Sequence, residues 1–409
     1  MGSFVTHLEG SLDGSRHDHR IPQGTHAGRP LLVRYDLEAV ARALTPAELE
    51  RRPATLWRWR ELLPVEDDAH VVSLGEVETP LIRCPRLGAE LGLADLWIKD
   101  ESGLPTGSFK ARGLALAVSR AKELGLKRVA IPTAGNAGGA LAAYAARAGL
   151  EAFVFMPADT PLVNRAEAAL FGARCFLVDG LITDCAALVQ AGAARMGWFD
   201  LSTLKEPYRL EGKKTMGLEL ARQLGWSLPD AILYPTGGGT GLIGMSKAFD
   251  ELAQLGWLAR DARPRFFACQ SDGCAPIVLA FERGERFAET FPGAATLASG
   301  LRVPRAVGDF LILDALRRSG GAAVAAREAE ILPWMRRASR LEGVGLCPES
   351  AACLAVVPRL LREGRLRRDE RVVLFNTGAA QKYVECLPQQ LPRLARGAEP
   401  DWEALVAQP

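Results

Sequence analysis

Lys99-Asp100-Glu101-Ser102-Gly103-Leu104-Pro105-Thr106-Gly107-Ser108-Phe109-Lys110-Ala111-Arg112-Gly113 is the stretch from which the rest of this 409-residue chain can be read. The apolar run Leu96-Trp97-Ile98-Lys99 leading into it reads as a strand. Gly103, Pro105 and Gly107 punctuate a turn, and Lys110 to Leu124 reads as a helix. A lysine that opens a helix directly after a turn lies among unpaired backbone N–H groups, at the positive end of the helix dipole. With partial burial, that environment predicts a pKa lowered toward the range of a nucleophilic amine. The competing reading is an ordinary solvated lysine in a helical first turn, and for an arbitrary lysine that reading wins.

The same strand-turn-helix texture continues outward. Strands are predicted at Val129 to Ile131, Ala152 to Met156, Cys175 to Val178, Ala231 to Tyr234, Arg265 to Cys269 and Val372 to Phe375. Helices are predicted at Asn136 to Ala148, Leu162 to Leu170, Glu211 to Leu224 and Leu242 to Leu255. Alternation at this spacing predicts α/β architecture with parallel sheets covered by helices on both faces. Residues 1–30, rich in Gly, His, Asp and Arg, read as a mobile arm. From Leu37 to Trp59 the pattern is helical but broken at Pro46 and Pro53, with Trp57 and Trp59 as packing residues.

Three further turns stand out. Pro132-Thr133-Ala134-Gly135-Asn136-Ala137-Gly138-Gly139-Ala140 joins a strand to an Ala-rich helix, and either brings an amide close to a flat ligand or is a tight packing turn. Pro235-Thr236-Gly237-Gly238-Gly239-Thr240-Gly241 makes a run of glycine N–H groups before a helix, a nest suited to a phosphate. Gly239, Gly241 and Gly244 also fit G-x-G-x-x-G, but the acidic residue that a dinucleotide site needs at a strand end is missing: Asp250 and Glu251 fall within a helix. Phe375-Asn376-Thr377-Gly378 places a hydroxyl just past a buried strand, which alone is more often a turn residue than a ligand contact.

Composition narrows the chemistry. Hydrophobic residues are 48% and charged residues 24%, with a formal net charge of +2, so nothing argues for nucleic acid or an anionic membrane. There is neither an apolar run long enough for a bilayer nor an apolar N-terminal signal, and the eight cysteines include no C-x-x-C pair. A cytoplasmic protein with reduced thiols is expected. All five histidines (His7, His17, His19, His26 and His70) lie in the first 70 residues. A Ser-His-Asp triad, a histidine metal site or a histidine base in the main body is thereby excluded. His17-Asp18-His19 reads as solvated rather than as a metal site, and no metal is expected elsewhere.

Taken in order, the four turns resemble the Schiff-base lysine motif, the asparagine loop, the phosphate-binding glycine loop and the ring-nitrogen hydroxyl of the fold-type II pyridoxal-phosphate (PLP) enzymes. Within that family the likeness is greatest to threonine synthases. It is carried also by Gly75-Glu76, Thr79-Pro80-Leu81 and Glu206-Pro207-Tyr208-Arg209-Leu210-Glu211-Gly212-Lys213-Lys214-Thr215. The resemblance covers roughly residues 30–390 and departs from the family pattern at Val77, Ala111, Ser350 and the run Gly378-Ala379-Ala380-Gln381-Lys382.

The resemblance implies two doubly wound α/β lobes with parallel sheets and an N-terminal extension. An arm and helical extension would occupy residues 1–70, a large PLP-binding lobe 71–112 and 205–390, a smaller α/β lobe 113–204, and a tail 391–409. It implies that Lys110 carries the cofactor as a Schiff base beside Phe109, that Asn136 bonds the cofactor's 3-oxygen, that Gly237, Gly238, Gly239, Thr240 and Gly241 hold its phosphate, and that Thr377 faces the ring nitrogen. Ser108, Thr133, Ser202, Thr203 and Arg209 would contact a small amino-acid substrate, with Lys213 or Lys214 as weaker candidates for its phosphate. A hydroxyl at the ring nitrogen suits elimination and replacement more than transamination. The implied reaction is loss of phosphate from Cγ of O-phospho-L-homoserine and addition of water at Cβ to give threonine, by a homodimer. A threonine or serine dehydratase and a phosphoserine-using synthase remain as alternatives. From other classes there remain a non-catalytic binder of the same fold and an NAD-linked dehydrogenase resting on Gly239 alone.

Overall fold

A computed structural model describes residues 2–387 and, beyond them, 393, 394, 396 and 401–403; the tail expected over 391–409 otherwise lies outside the described residues. At the N-terminal end, β1 (Val5–Gly10), β2 (Arg16–His17), β3 (Thr25–His26) and β4 (Arg29–Tyr35) form an antiparallel sheet in the order β2-β1-β4-β3. The expectation of a mobile arm over residues 1–30 is corrected here. Leu8 of β1 and Leu31 and Val33 of β4 are buried. Arg29 meets Asp309 at 3.2 Å with its guanidinium over Phe287, and the Tyr35 hydroxyl donates to Glu211 at 2.8 Å. These partners lie far along the chain, so local polarity gave no sign of them.

The 37–59 region is three short helices, Leu37–Ala43, Pro46–Glu50 and Leu56–Leu62. The break expected at Pro46 is present: the first helix ends at Ala43, and Pro46 opens the next, behind a capping box in which Thr45 and Glu48 satisfy each other's backbone donors. Trp59 is fully buried.

The main body holds two parallel sheets. β5 (Leu81–Arg83) and β6 (Asp95–Asp100) begin the larger one. The chain then leaves it for β7 (Arg128–Pro132), β8 (Glu151–Pro157), β9 (Arg174–Val178) and β10 (Phe199–Asp200), which form the smaller sheet in the order β10-β7-β8-β9. It returns through β11 (Ala231–Pro235), β12 (Arg265–Ser271), β13 (Ala322–Ala326) and β14 (Arg371–Asn376), giving the larger order β13-β12-β11-β14-β6-β5 with only β5 antiparallel. Central strands such as β11 are buried along their whole length, as parallel strands covered on both faces must be. The strands and helices predicted from periodicity all appear, most within one or two residues of their expected ends. Helices Ile182–Met196, Asp309–Arg318, Glu328–Glu342 and Pro348–Arg362 and strand β13 add to them.

The two sheets are bridged by the packed helices Lys110–Glu123, Tyr208–Gln223 and Thr240–Gln254. A Cβ on Gly212 would come within 2.0 Å of the Arg112 carbonyl, so this close crossing requires glycine. At the crossing, Arg112 is fully buried. Its guanidinium bonds Glu101 at 2.5 and 3.0 Å, Glu219 at 2.5 and 2.8 Å, and the Thr215 and Thr79 hydroxyls. Lys99, also buried, adds a 2.9 Å bond to Glu219. Burial alone would raise the Glu219 carboxyl, but Arg112 and Lys99 outweigh it and hold the pKa at about 2.

Replacing Glu219 by Gln leaves two buried cations short of an anion. It is expected to destabilise the protein by about 3–5 kcal/mol, read from the urea midpoint near neutral pH. Because the Glu219 pKa is depressed in the fold, its stabilisation is complete above the ordinary carboxylate range and is lost as pH falls through about 2. A wild-type midpoint in the variant would show that the cage carries no net stability.

Candidate active site

The turns that follow β6, β7, β11 and β14 meet at one cleft of about 190 Å³. This is where open parallel sheets place their ligands. Its walls come from the turns singled out above, each of which runs from a strand end toward a helix N-terminus or, after β14, into a loop.

Lys110 is the first residue of its helix, after a turn in which Thr106 takes a left-handed conformation (φ 60°). Its amine stands 3.9 Å from the centre of the Phe109 ring. The side chain keeps some contact with the open cleft, while protein encloses the amine elsewhere. This burial, with the Arg209 guanidinium second, lowers its pKa from 10.5 to about 7; Glu349 and Cys347 act in the opposite sense. The lowered amine expected from the sequence is therefore present. Lys213 stands 4.5 Å from the centre of the same ring and donates to the Phe109 carbonyl.

Asn136 is the N-cap of Ala137–Ala148 and is buried, with its Oδ1 unpartnered. Thr133 folds its hydroxyl back on its own turn, donating to the Gly135 carbonyl at 2.9 Å. Gly237, Gly238, Gly239, Thr240 and Gly241 all line the cleft. Gly239 is left-handed (φ +76°) and caps Thr240–Gln254. Among the described residues none accepts a hydrogen bond from the N–H groups of Gly237, Gly238 or Gly239, so the loop offers free donors. Gly244 is elsewhere: a Cβ there would lie 2.9 Å from the Lys214 backbone, so this glycine serves helix packing. With it the dinucleotide pattern loses its third glycine. Thr377 follows β14, and its hydroxyl lies 3.6 Å from the Cys347 sulfur.

Ser202, Thr203 and Arg209 also line the cleft, Thr203 against Gly238. Ser202 donates to Asp200, and Arg209, buried, donates from Nη1 to the Leu201 carbonyl at 2.7 Å while its Nε has no partner. Glu206 caps this helix through the Tyr208 and Arg209 N–H groups, and burial pushes its carboxyl up to about 7.

Three expected contacts are not in the cleft. Ser108 is buried behind Lys110, its backbone bridged to Gly378. Lys213 is held by the Phe109 carbonyl. Lys214 is locked between Glu211 at 2.7 Å and Glu251 at 2.8 Å. Among the lining residues that were not anticipated are Lys205, Arg305, Glu349 and Tyr383. Pro348-Glu349-Ser350 offered a signal, a carboxylate in the first turn of a helix; Arg305 and Tyr383 offered none.

Fold and site together define a PLP-dependent enzyme of the α/β type. The family model described as "pyridoxal-phosphate dependent enzyme" matches residues 72–378, and the chain belongs to that family. Among its relatives, the threonine synthase of Methanocaldococcus jannaschii is 36% identical over 87% of this chain and 87% of that protein. The threonine synthase of Mycobacterium tuberculosis (strain H37Rv) is 32% identical over 84% of this chain and 92% of that protein. Maize serine racemase superposes with a TM-score of 0.64 at 20% identity, covering 74% of this chain and 88% of that one, and shares the fold.

The residues present fit the cofactor. A neutral amine is available for a carbonyl carbon, unpartnered glycine N–H groups for a phosphate, and a buried amide and a strand-end hydroxyl for a ring. In the apo-protein, modification of Lys110 by an aldehyde followed by borohydride, located by peptide mapping, is expected to rise with pH through about 7. A rise near 10.5 would show that the cleft does not lower this amine.

Proposed function

We propose that this chain is a threonine synthase, converting O-phospho-L-homoserine and water to L-threonine and phosphate. The observation that carries the reading is the charge of the cleft: apart from Lys110, whose amine is brought down toward neutrality, Lys205, Arg209 and Arg305 line it against the carboxylate of Glu349. The glycine loop accounts for one phosphate, that of the cofactor. The cationic wall is left for a second, which the substrate of a threonine or serine dehydratase does not have. The curated threonine synthases support the same choice.

When bound, PLP supplies an electron-withdrawing ring that stabilises negative charge next to the substrate's α-carbon. Lys110 would hold the cofactor through its carbonyl carbon, with Phe109 next to it limiting where the amine can swing. Asn136 and Thr377 would hold the ring, and Gly237 to Gly241 the phosphate. Once free, the Lys110 amine takes a proton from Cα and then helps to remove one from Cβ, a task that an amine of pKa about 7 can perform in both directions near neutrality. Arg209, with its unpartnered Nε, holds the departing phosphate beside Ser202 and Thr203. Thr133 bounds the pocket at the amino-acid end. Phosphate leaves Cγ, Cγ gains a proton, hydroxide from water bonds to Cβ, and Cα regains its proton. A homodimer working in the cytosol completes the reading, supported by the family resemblance and by eight free cysteines.

Purified protein is expected to release phosphate and form threonine from O-phospho-L-homoserine, and Lys110→Ala to abolish both turnover and stable cofactor retention. Arg209→Met is expected to raise KM for the phosphorylated substrate roughly 10- to 100-fold, the equivalent of one charge-assisted contact of about 1.5–3 kcal/mol. Rapid formation of 2-oxobutyrate from threonine, with no turnover of O-phospho-L-homoserine, would overturn the assignment.

A further inference from the structure

We propose that Tyr383, held in place by Glu349, is a positioning residue that fixes the orientation of the Asn136 amide and so where its Nδ2–H donor and Oδ1 acceptor point relative to the cofactor. The proposal rests on the reading of Asn136 as a cofactor contact and deepens it.

Three residues distant in sequence meet here. Asn136 caps the helix Ala137–Ala148, Glu349 lies in the first turn of Pro348–Arg362, and Tyr383 sits between the 3-10 turns Ala380–Lys382 and Val384–Cys386. All three are buried and line the cleft. Their hydrogen-bond polarity follows from the chemistry of the groups. A carboxylate can only accept. Glu349 Oε1 takes the Gly300 N–H at 2.8 Å and the Tyr383 O–H at 2.9 Å. The single phenolic proton is then committed to Glu349, so the phenol oxygen can only accept from Asn136, 3.2 Å away. Nδ2 must therefore face Tyr383, which leaves its second hydrogen, together with the unpartnered Oδ1, to serve a ligand.

Among the described residues Tyr383 is the only hydrogen-bond partner of the Asn136 amide, and a flip of the amide would exchange a donor for an acceptor. Burial, reinforced by Glu349, pushes the Tyr383 phenol well above its ordinary pKa, so the proton on which the polarity depends stays in place. Tyr383 directly follows the run Gly378 to Lys382 in which this chain departs from the family pattern, and Glu349 precedes the departing Ser350.

The test measures PLP binding to apo-protein, by titration, and the visible band of the bound cofactor for Asn136→Ala, Tyr383→Phe, Glu349→Gln, Glu349→Ala and the Tyr383→Phe/Glu349→Ala pair. Circular dichroism of each apo-variant checks folding. Tyr383→Phe is expected to weaken cofactor binding roughly 5- to 10-fold and to shift the band in the same direction as Asn136→Ala. Glu349→Ala should match it, and the pair should be no worse than either single change. Glu349→Gln should recover most of the loss, because its Oε1 can take the same two bonds. If Asn136→Ala changes neither affinity nor band, the reading of Asn136 itself fails. If Asn136→Ala changes them and Tyr383→Phe does not, the site reading stands and the positioning role is overturned. It is overturned equally if Glu349→Gln is as impaired as Glu349→Ala, since the carboxylate would then act by its charge and not through Tyr383.

Discussion

Arg112 is a full positive charge with no access to water, and the geometry around it governs where Lys110 points. A buried guanidinium is tolerated only if its donors are met by fixed acceptors in the right plane. Glu101, Glu219, Thr79 and Thr215 meet them from different parts of the chain, so the helix that begins at Lys110 cannot rotate or slide without breaking several charge-assisted bonds at once. Lys110 lies two residues before Arg112. With one side of the helix locked inward by Arg112, the Lys110 side chain is left on the side that opens to the cleft. The same cage ties β6 to the helix Tyr208–Gln223, which brings Arg209 to the same cleft.

Around the cleft the fold then repeats one electrostatic device. The helices Lys110–Glu123, Ala137–Ala148, Tyr208–Gln223, Thr240–Gln254 and Pro348–Arg362 all bring residues of their first turn or N-cap to it. Each contributes the positive end of a dipole, although Glu206 takes the Tyr208 and Arg209 N–H groups of one of them. One field therefore serves two purposes. It favours anions, and so suits both a cofactor phosphate and a phosphorylated substrate. It also disfavours an ammonium, and so adds to the burial and the Arg209 charge that keep the Lys110 amine neutral.

The order of strands and helices and the four turns could be read from the sequence because each depends on local pattern: apolar runs, glycine positions and the start of a helix. Gly239 is a good case, since its left-handed backbone and the free donors beside it follow from a run of glycines before a helix. The N-terminal sheet could not be read in this way. β1 and β4 pair across a polar stretch, and what holds them is Arg29 on Asp309 and Tyr35 on Glu211, contacts that span more than 170 residues. Tyr383 and Ser108 failed for a related reason. Whether a side chain enters a cleft or turns away is decided by partners elsewhere: Asn136, 247 residues from Tyr383, draws that phenol in, while Gly378 pins the backbone of Ser108 behind Lys110.

The absence of histidine beyond residue 70 now has a physical counterpart. Proton transfer near neutrality needs a group that titrates there, and imidazole does so without help from its surroundings. An amine must be brought down by several units, which means enclosing it where its charged form is disfavoured. That enclosure has a thermodynamic sign. Because the folded pKa of Lys110 is about 7 against an ordinary 10.5, the unfolded chain binds the proton more tightly. The folded state bears the full penalty below pH 7 and is relieved of it as pH rises from about 7 toward 10.5. The titrating group thus works against the fold at neutral pH and below, where its charged form is enclosed. The satisfied ion cage behind it holds the helix in register while that penalty stands, so the charge best paired in this protein lies two residues from the one it can least afford to protonate.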